Sequence, residues 1–201
     1  MDSPQQEVLD LRPTLTTERL VLRPFQPSDA KAVQKLAGHE LIAATTAGIP
    51  HPYPDGLAEV WISRHADSFT DGIDVHFAVA LKATNELVGC VVIFGISLPN
   101  SKAELGYWIG VDYWGHGYCT EACHAALDYA FRVRGFNKIS ARHVDINPTS
   151  GKVMQKLGMR REGSMKKDVR KNGVFHDIEA YGILAEEFQS KTDGSPGVLD
   201  T

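Results

Sequence analysis

The sequence predicts a single α/β domain built on a mixed central β-sheet, and three observations carry that reading. Elements run in the order strand, two helices, a strand meander, then strand–helix–strand–helix–strand–strand. Their centre, Glu104 to Phe136, is an apolar strand, a glycine turn and an amphipathic helix in direct succession. A chain of 201 residues holds one well-cored domain and is short for two, and it has no internal repeat and no domain-splitting linker.

From the N-terminus, residues 1–15 show little periodicity and read as a flexible lead-in. Arg19–Phe25 is a first strand, ended by Pro24 and Pro27. Ser28 and Asp29 open a helix through Ala37, with Ala30, Val33, Leu36 and Ala37 on one face. Gly38–Gly56 breaks into glycine- and proline-rich text and reads as a long binding lip. Helical spacing resumes through Leu57–Phe69. Asp71-Gly72 then turns into strands at Phe77–Leu81 and Leu87–Phe94, joined by a hairpin loop. The second of these is apolar throughout, so it belongs in mid-sheet with both faces covered.

The central strand carries Leu105, Tyr107, Trp108, Ile109 and Val111, and the turn after it holds Gly115 and Gly117. Ala122, Cys123, Ala126, Leu127, Ala130 and Phe131 follow at the spacing of one helix face, and Gly135 closes the helix. Lys138–Asp145 alternates as a strand, with Ile139, Ala141 and His143 facing one way. Asn147 caps a short helix that begins at Pro148 and stops at Gly158. Arg160–Arg170 and Val174–Leu184 form a hairpin across Asn172-Gly173. The tail, 189–201, has no core-forming pattern and reads as disordered, which leaves 16–188 as the domain.

Composition narrows the function. Hydrophobic residues make up 43% and charged residues 23%, as in ordinary soluble proteins, and the net charge is −4. That balance argues against a nucleic-acid partner or an anionic membrane surface. No apolar run approaches a membrane span, and MDSPQQEVLD is unlike a signal peptide. Three cysteines without a Cys-x-x-Cys suit a reducing cytoplasm. His116, Cys119 and Cys123 lack a fourth partner for zinc, so no metal is expected.

The glycine turn is the candidate binding feature. A strand feeding such a turn into a helix N-terminus converges unpaired N–H groups on one point, where the helix dipole also favours an anion. The turn is not a mononucleotide loop: the only Gly-Lys pair, Gly151-Lys152, is followed by Val153, and Ile146 stands where the first glycine belongs. Nor is it a dinucleotide fingerprint, because Gly115-x-Gly117 runs on to Thr120 without a third glycine. Alone, a Gly-x-Gly also fits a purely structural turn.

WIGVDYWGHGYCTEACHAALDYAF, KISARHVDIN and NPTSGKVMQKLGMRREG, with the opening TERLVLRPFQPSDA, resemble the GNAT superfamily of acetyl-CoA-dependent N-acetyltransferases. The likeness is strongest to the ribosomal-protein-alanine acetyltransferase (RimJ/RimL-like) branch and covers Thr16 to Glu187. It implies a GNAT-like sheet whose central strand splays from the Lys138–Asp145 strand, with pantetheine in the gap. Ile109, Gly110 and Val111 would take that arm, and Trp114, Gly115, His116, Gly117, Tyr118, Cys119 and Thr120 would wrap the diphosphate. Trp114 and Cys119 depart from the superfamily's common Gln/Arg and Gly/Ala.

The resemblance also makes Glu104 the candidate general base, acting through water, with a structural acceptor as the alternative. Ser150 is the candidate donor to the CoA sulfur, in place of the tyrosine that other branches carry where Met154 stands. Asn147 would touch a CoA amide besides capping its helix, and Gly151 would let the cofactor approach. His143 is a second base candidate or a structural histidine. The Lys166, Lys167, Arg170, Lys171 run is a solvated face, or a contact for the CoA 3′-phosphate or an acidic substrate. The acceptor is a primary amine, either a protein N-terminus or a small molecule, and the protein acts as a monomer or homodimer. A non-catalytic acyl-CoA-binding module remains the alternative from another class.

Overall fold

The computed structural model describes residues 12–46, 48–171 and 173–192. The strands in chain order are β1 (Leu15–Thr16), β2 (Leu20–Arg23), β3 (Val75–Leu81), β4 (Leu87–Ser97), β5 (Lys102–Ile109), β6 (Lys138–Val144), β7 (Arg160–Lys171) and β8 (Val174–Leu184). They make one open sheet in the order β1-β2-β3-β4-β5-β6-β8-β7, antiparallel except where β5 meets β6. The helices are α1 (Ala30–Ala37), α2 (Glu40–Thr45), α3 (Leu57–Ser63), α4 (His65–Thr70), α5 (Tyr118–Asp128), α6 (Pro148–Lys156) and α7 (Ala185–Thr192).

Strand alternation divides the core between the two faces of the sheet. Val91, Ile93, Leu105 and Ile109 turn toward α5, whose buried Ala122, Cys123, Ala126 and Leu127 fill that side. Ala78 and Cys90 turn the other way, against Val33 and Leu36 of α1, Ala58 and Ile62 of α3, and Phe25. β4 is therefore buried on both faces, as its unbroken apolar run demands. Each fully buried Leu, Ile or Phe contributes about 1.5–3 kcal/mol.

Several boundaries differ from the sequence expectation, each for a physical reason. The glycine- and proline-rich lip contains α2, whose His39 Nδ1 accepts from Leu41 N at 3.2 Å. The helix expected over 57–69 breaks at Arg64 into α3 and α4. Just past the break the His65 ring stacks flat on His76, 4.0 Å away, beside Trp61 and Phe25. The long helix starts at Tyr118, inside the expected turn, and leaves α geometry after Asp128 for a π-helical turn over Tyr129–Val133. The wider turn keeps three consecutive residues, Tyr129, Ala130 and Phe131, in the core.

The expected lead-in ends in β1, which pairs with β2 through Leu15↔Leu22 and Thr16↔Val21. The expected tail begins inside α7, anchored by the buried Phe188 against Phe131 at 5.2 Å. Residues 1–11 and 193–201, the rest of those two segments, lie outside the described residues, as does Asn172 of the hairpin turn. The β7–β8 pairing nevertheless closes at Lys171↔Val174.

Candidate active site

β5 and β6 pair through only three residues, Lys102↔Lys138, Ala103↔Ile139 and Glu104↔Ser140. Beyond them β5 stays with β4 as far as Gly89↔Ile109, while β6 stays with β8 as far as Val144↔Ile178. The strands part because each keeps its outer partner. Gly110 N donates to Val88 O at 2.9 Å, and antiparallel ladders alternate, so the peptide groups of Tyr107 and Ile109 point to the edge facing β6. This edge offers an extended amide-bearing ligand a strand to pair with. Gly110 itself does not fit the role expected of it, since its N–H serves β4 and its carbonyl accepts from Tyr113 N at 2.9 Å. Ile109 is left on this side; Val111 lies in the turn beyond β5, and its carbonyl accepts from Trp114 N at 3.1 Å. The Trp114 indole donates to Ile109 O at 2.6 Å, tying the strand end to the turn.

Gly115 and Gly117 both have φ of +81°, a backbone that L side chains rarely adopt. Between them His116 Nδ1 lies 3.0 Å from Trp114 O, and its exposed ring stacks on Tyr118. Glu121 N reaches back to Gly117 O at 3.1 Å, so Tyr118, Cys119 and Thr120 are the first helical residues, whose N–H groups have no preceding turn to bond. A Cβ at Gly115 would meet nothing within 4 Å, so the space beside Gly115 is open. The arrangement fits a diphosphate.

Arg19 completes this corner, and sequence reasoning gave it no role. Its Nε donates to Glu121 Oε2 at 2.7 Å, Nη1 donates to His116 O at 2.9 Å, and the guanidinium lies 4.8 Å from the centre of the Tyr118 ring. Burial pushes the Glu121 carboxyl up. Hydrogen bonds from Thr17 and from the Arg19 backbone and side chain more than offset this, so its pKa lies below the ordinary value. That cation braces the turn from the bend between β1 and β2. The available signal was the TERL segment, a Thr and an Arg flanking the first strand.

On the α5/α6 side of the gap, Ser150 sits in the first turn of α6, and Tyr107 Oη lies 2.9 Å from its Oγ and 3.0 Å from its carbonyl oxygen. Burial beside Cys119 and Cys123 raises the Tyr107 phenol far above its usual range. Asn147 caps α6, with Oδ1 accepting from Ser150 N at 3.2 Å, and its Nδ2 donates to Thr45 O at 3.4 Å. Both ends of that amide are engaged within the protein, which disfavours the expected CoA contact. Gly151 is explained differently from expectation. A Cβ there would lie 2.7 Å from His143 Nε2, so the glycine makes room for a histidine. The His143 ring is buried with Nδ1 2.8 Å from Val144 O, a structural placement. Met154 is buried in the core.

On the opposite face, Arg142 reaches from β6 across the gap to Glu104, with Nε donating to Oε2 at 2.9 Å and Nη2 to Oε1 at 3.0 Å. A carboxylate has about four lone-pair sites, so a fork occupying two leaves room for a water. The C-terminal end of α2 meets α6 and β7, with Thr45 O accepting from Asn147 and Thr46 O from Lys171. Burial lowers the Lys171 pKa. In the basic run, Lys166 pairs with Asp177 at 2.7 Å and Arg170 packs over Phe175. Among the described residues no group of three or more His, Cys, Asp or Glu gathers to hold a metal. Among the same residues no helix is long and apolar enough to cross a membrane.

Residues 19–160 match the family model of the acetyltransferase (GNAT) domain. The uncharacterized N-acetyltransferase p20 of Bacillus licheniformis is 29% identical over 177 residues, covering 87% of this chain and 98% of that protein. The ribosomal-protein-S5-alanine acetyltransferase of Vibrio fischeri shares the fold with a TM-score of 0.77 at 22% identity, over 88% of this chain and 98% of that one. Spermidine N-acetyltransferase of Vibrio cholerae, solved with CoA and spermine, has a TM-score of 0.75 at 22% identity, over 86% and 99% of the two chains. With the match spanning well over half its length, the chain belongs to the GNAT acetyltransferase family: it is an N-acetyltransferase, and acetyl-CoA is that family's co-substrate.

Proposed function

We propose that the enzyme acetylates the α-amine of a protein N-terminus by direct attack in a ternary complex. The observation that carries the reading is the three-pair β5–β6 junction opening into a gap with the Gly115–Gly117 nest at its end. In this reading Ile109 and Val111 receive the pantetheine arm, and the N–H groups from Gly115 to Thr120 receive the diphosphate, the Trp114 N–H being taken by Val111 O at 3.1 Å. Glu104 takes the amine proton through a water, and Ser150 donates to the departing sulfur. An α-amine, with a pKa of about 8, asks less of such a base than a lysine at about 10.4.

The acceptor side supports a polypeptide. Glu40, Asp55 and Glu59, the carboxylates that would box in a polyamine, are all exposed, and Asp55 accepts from Gln34 Nε2 at 2.7 Å. A small amine is the second reading, favoured by the likeness to spermidine N-acetyltransferase. A purely CoA-binding module is disfavoured because Glu104 and Ser150 are both present at the gap. Three free thiols, Cys90, Cys119 and Cys123, suit the cytoplasm as its location.

The deciding experiment is thiol release from acetyl-CoA against a panel of N-terminal peptides and polyamines. Faster turnover on peptides is expected; polyamines alone as acceptors would overturn the choice, and CoA binding without turnover would overturn the catalytic reading. Ser150→Ala should lower kcat about tenfold or more with little change in the acetyl-CoA KM.

A further inference from the structure

Tyr107 stands on β5 just past the point where the gap opens, and its hydroxyl reaches α6 twice, at 3.0 Å to Ser150 O and 2.9 Å to Ser150 Oγ. Each hydroxyl carries one proton, so two arrangements keep the two hydroxyls bonded to each other. In the first, Tyr107 donates to the carbonyl and Ser150 donates back to the phenol oxygen, which turns the serine proton away from any third group. In the second, Tyr107 donates to Ser150 Oγ and the serine proton is free to point elsewhere.

We propose that Tyr107 is a positioning residue for acetyl transfer: its hydroxyl donates to Ser150 Oγ and thereby aims the serine proton at the sulfur of the leaving thiolate. This rests on the reading of Ser150 as the thiolate's donor. The step balances without a new reactant. The amine nitrogen bonds to the acetyl carbon, the C–S bond breaks, and sulfur keeps the electron pair. The amine's proton leaves through water toward Glu104. Tyr107 and Ser150 keep their protons, and the thiolate takes one from water after release. Burial keeps the phenol neutral, so Tyr107 stays a donor throughout. A hydroxyl on a free rotor gives little directional help, whereas one fixed by a second donor is preorganised and polarised. Ser150 N is already fixed by Asn147 Oδ1, which leaves the serine hydroxyl as the one degree of freedom for Tyr107 to set.

Tyr107→Phe removes one oxygen and keeps the ring. Its kcat and acetyl-CoA KM are measured beside those of Ser150→Ala and the double variant, with thermal unfolding to confirm that all fold. The expected result for Tyr107→Phe is a five- to tenfold loss of kcat, roughly one neutral hydrogen bond, with the acetyl-CoA KM unchanged. On the Ser150→Ala background the same change should cost less than about twofold. A wild-type kcat in Tyr107→Phe overturns the proposal. An equal loss on both backgrounds also overturns it, because the phenol would then act on the fold rather than through Ser150. Wild-type turnover in Ser150→Ala instead removes the donor reading on which the proposal stands.

Discussion

Gly151 and His143 meet where one methyl group decides the packing. The ring's Nδ1 contact with the Val144 carbonyl holds it against the glycine, so it has no easy retreat. Alanine at a helix position ordinarily gains about 1 kcal/mol over glycine. Here overpacking of about 1–3 kcal/mol opposes that gain, and Gly151→Ala should be destabilised by up to about 2 kcal/mol in urea unfolding. A variant as stable as the parent would contradict the contact. In the turn, Gly117→Glu places a Cβ on a left-handed backbone, a strain of about 1–2 kcal/mol, and a like charge where the diphosphate belongs. Acetyl-CoA affinity measured by calorimetry should fall about tenfold or more; near-normal affinity would remove the turn from the binding site. Gly115 and Gly117 were legible because a left-handed backbone asks for glycine locally. Arg19–Glu121 and Tyr107–Ser150 were not, since their partners lie 102 and 43 residues apart and leave no periodic trace.

Among the elements, those with a repeating apolar face were readable from the chain. β4 and the β7–β8 hairpin fall where alternation and the Asn-Gly pair put them, and helical spacing located the body of α5 though not its ends. α2 was hidden by flanking glycines and prolines, and α7 by its polar text, in which Phe188 is buried in the core and Ala185 packs beside it. Phe188→Ala should therefore detach α7 and cost about 3–5 kcal/mol, read as a lowered denaturation midpoint with the sheet's circular dichroism retained below it. A loss under about 1 kcal/mol would mean that α7 is ornamental. The parting of β5 from β6 was anticipated only through family resemblance, because the residues on both strands alternate as continuously paired strands would.

At the scale of the molecule, its response to acid follows from His65 and His76. Both nitrogens of His65 and Nδ1 of His76 are buried without hydrogen-bond partners, and Asp74 lies 3.6 Å from His76 Nε2. Burial, then the neighbouring His76 and Arg12, push the His65 pKa down to about 3 from the model-compound 6.5. The unfolded chain then binds protons that the folded one refuses. This contribution is complete above pH 6.5 and is lost as pH falls toward 3, by up to about 1.4 kcal/mol per unit. His65→Phe should flatten the fall in stability between pH 6.5 and 5, where carboxylates are still ionised; an unchanged slope would assign the acid response elsewhere. The half-finished β5–β6 junction has its own consequence. The sheet is two half-sheets joined by three rungs, so in the proposed binding mode a donor molecule lodged between them would act as a ninth strand. Deuterium uptake at Tyr107 and Ile109 should slow sharply when coenzyme A is added, and the two halves should then melt as one body at a higher temperature.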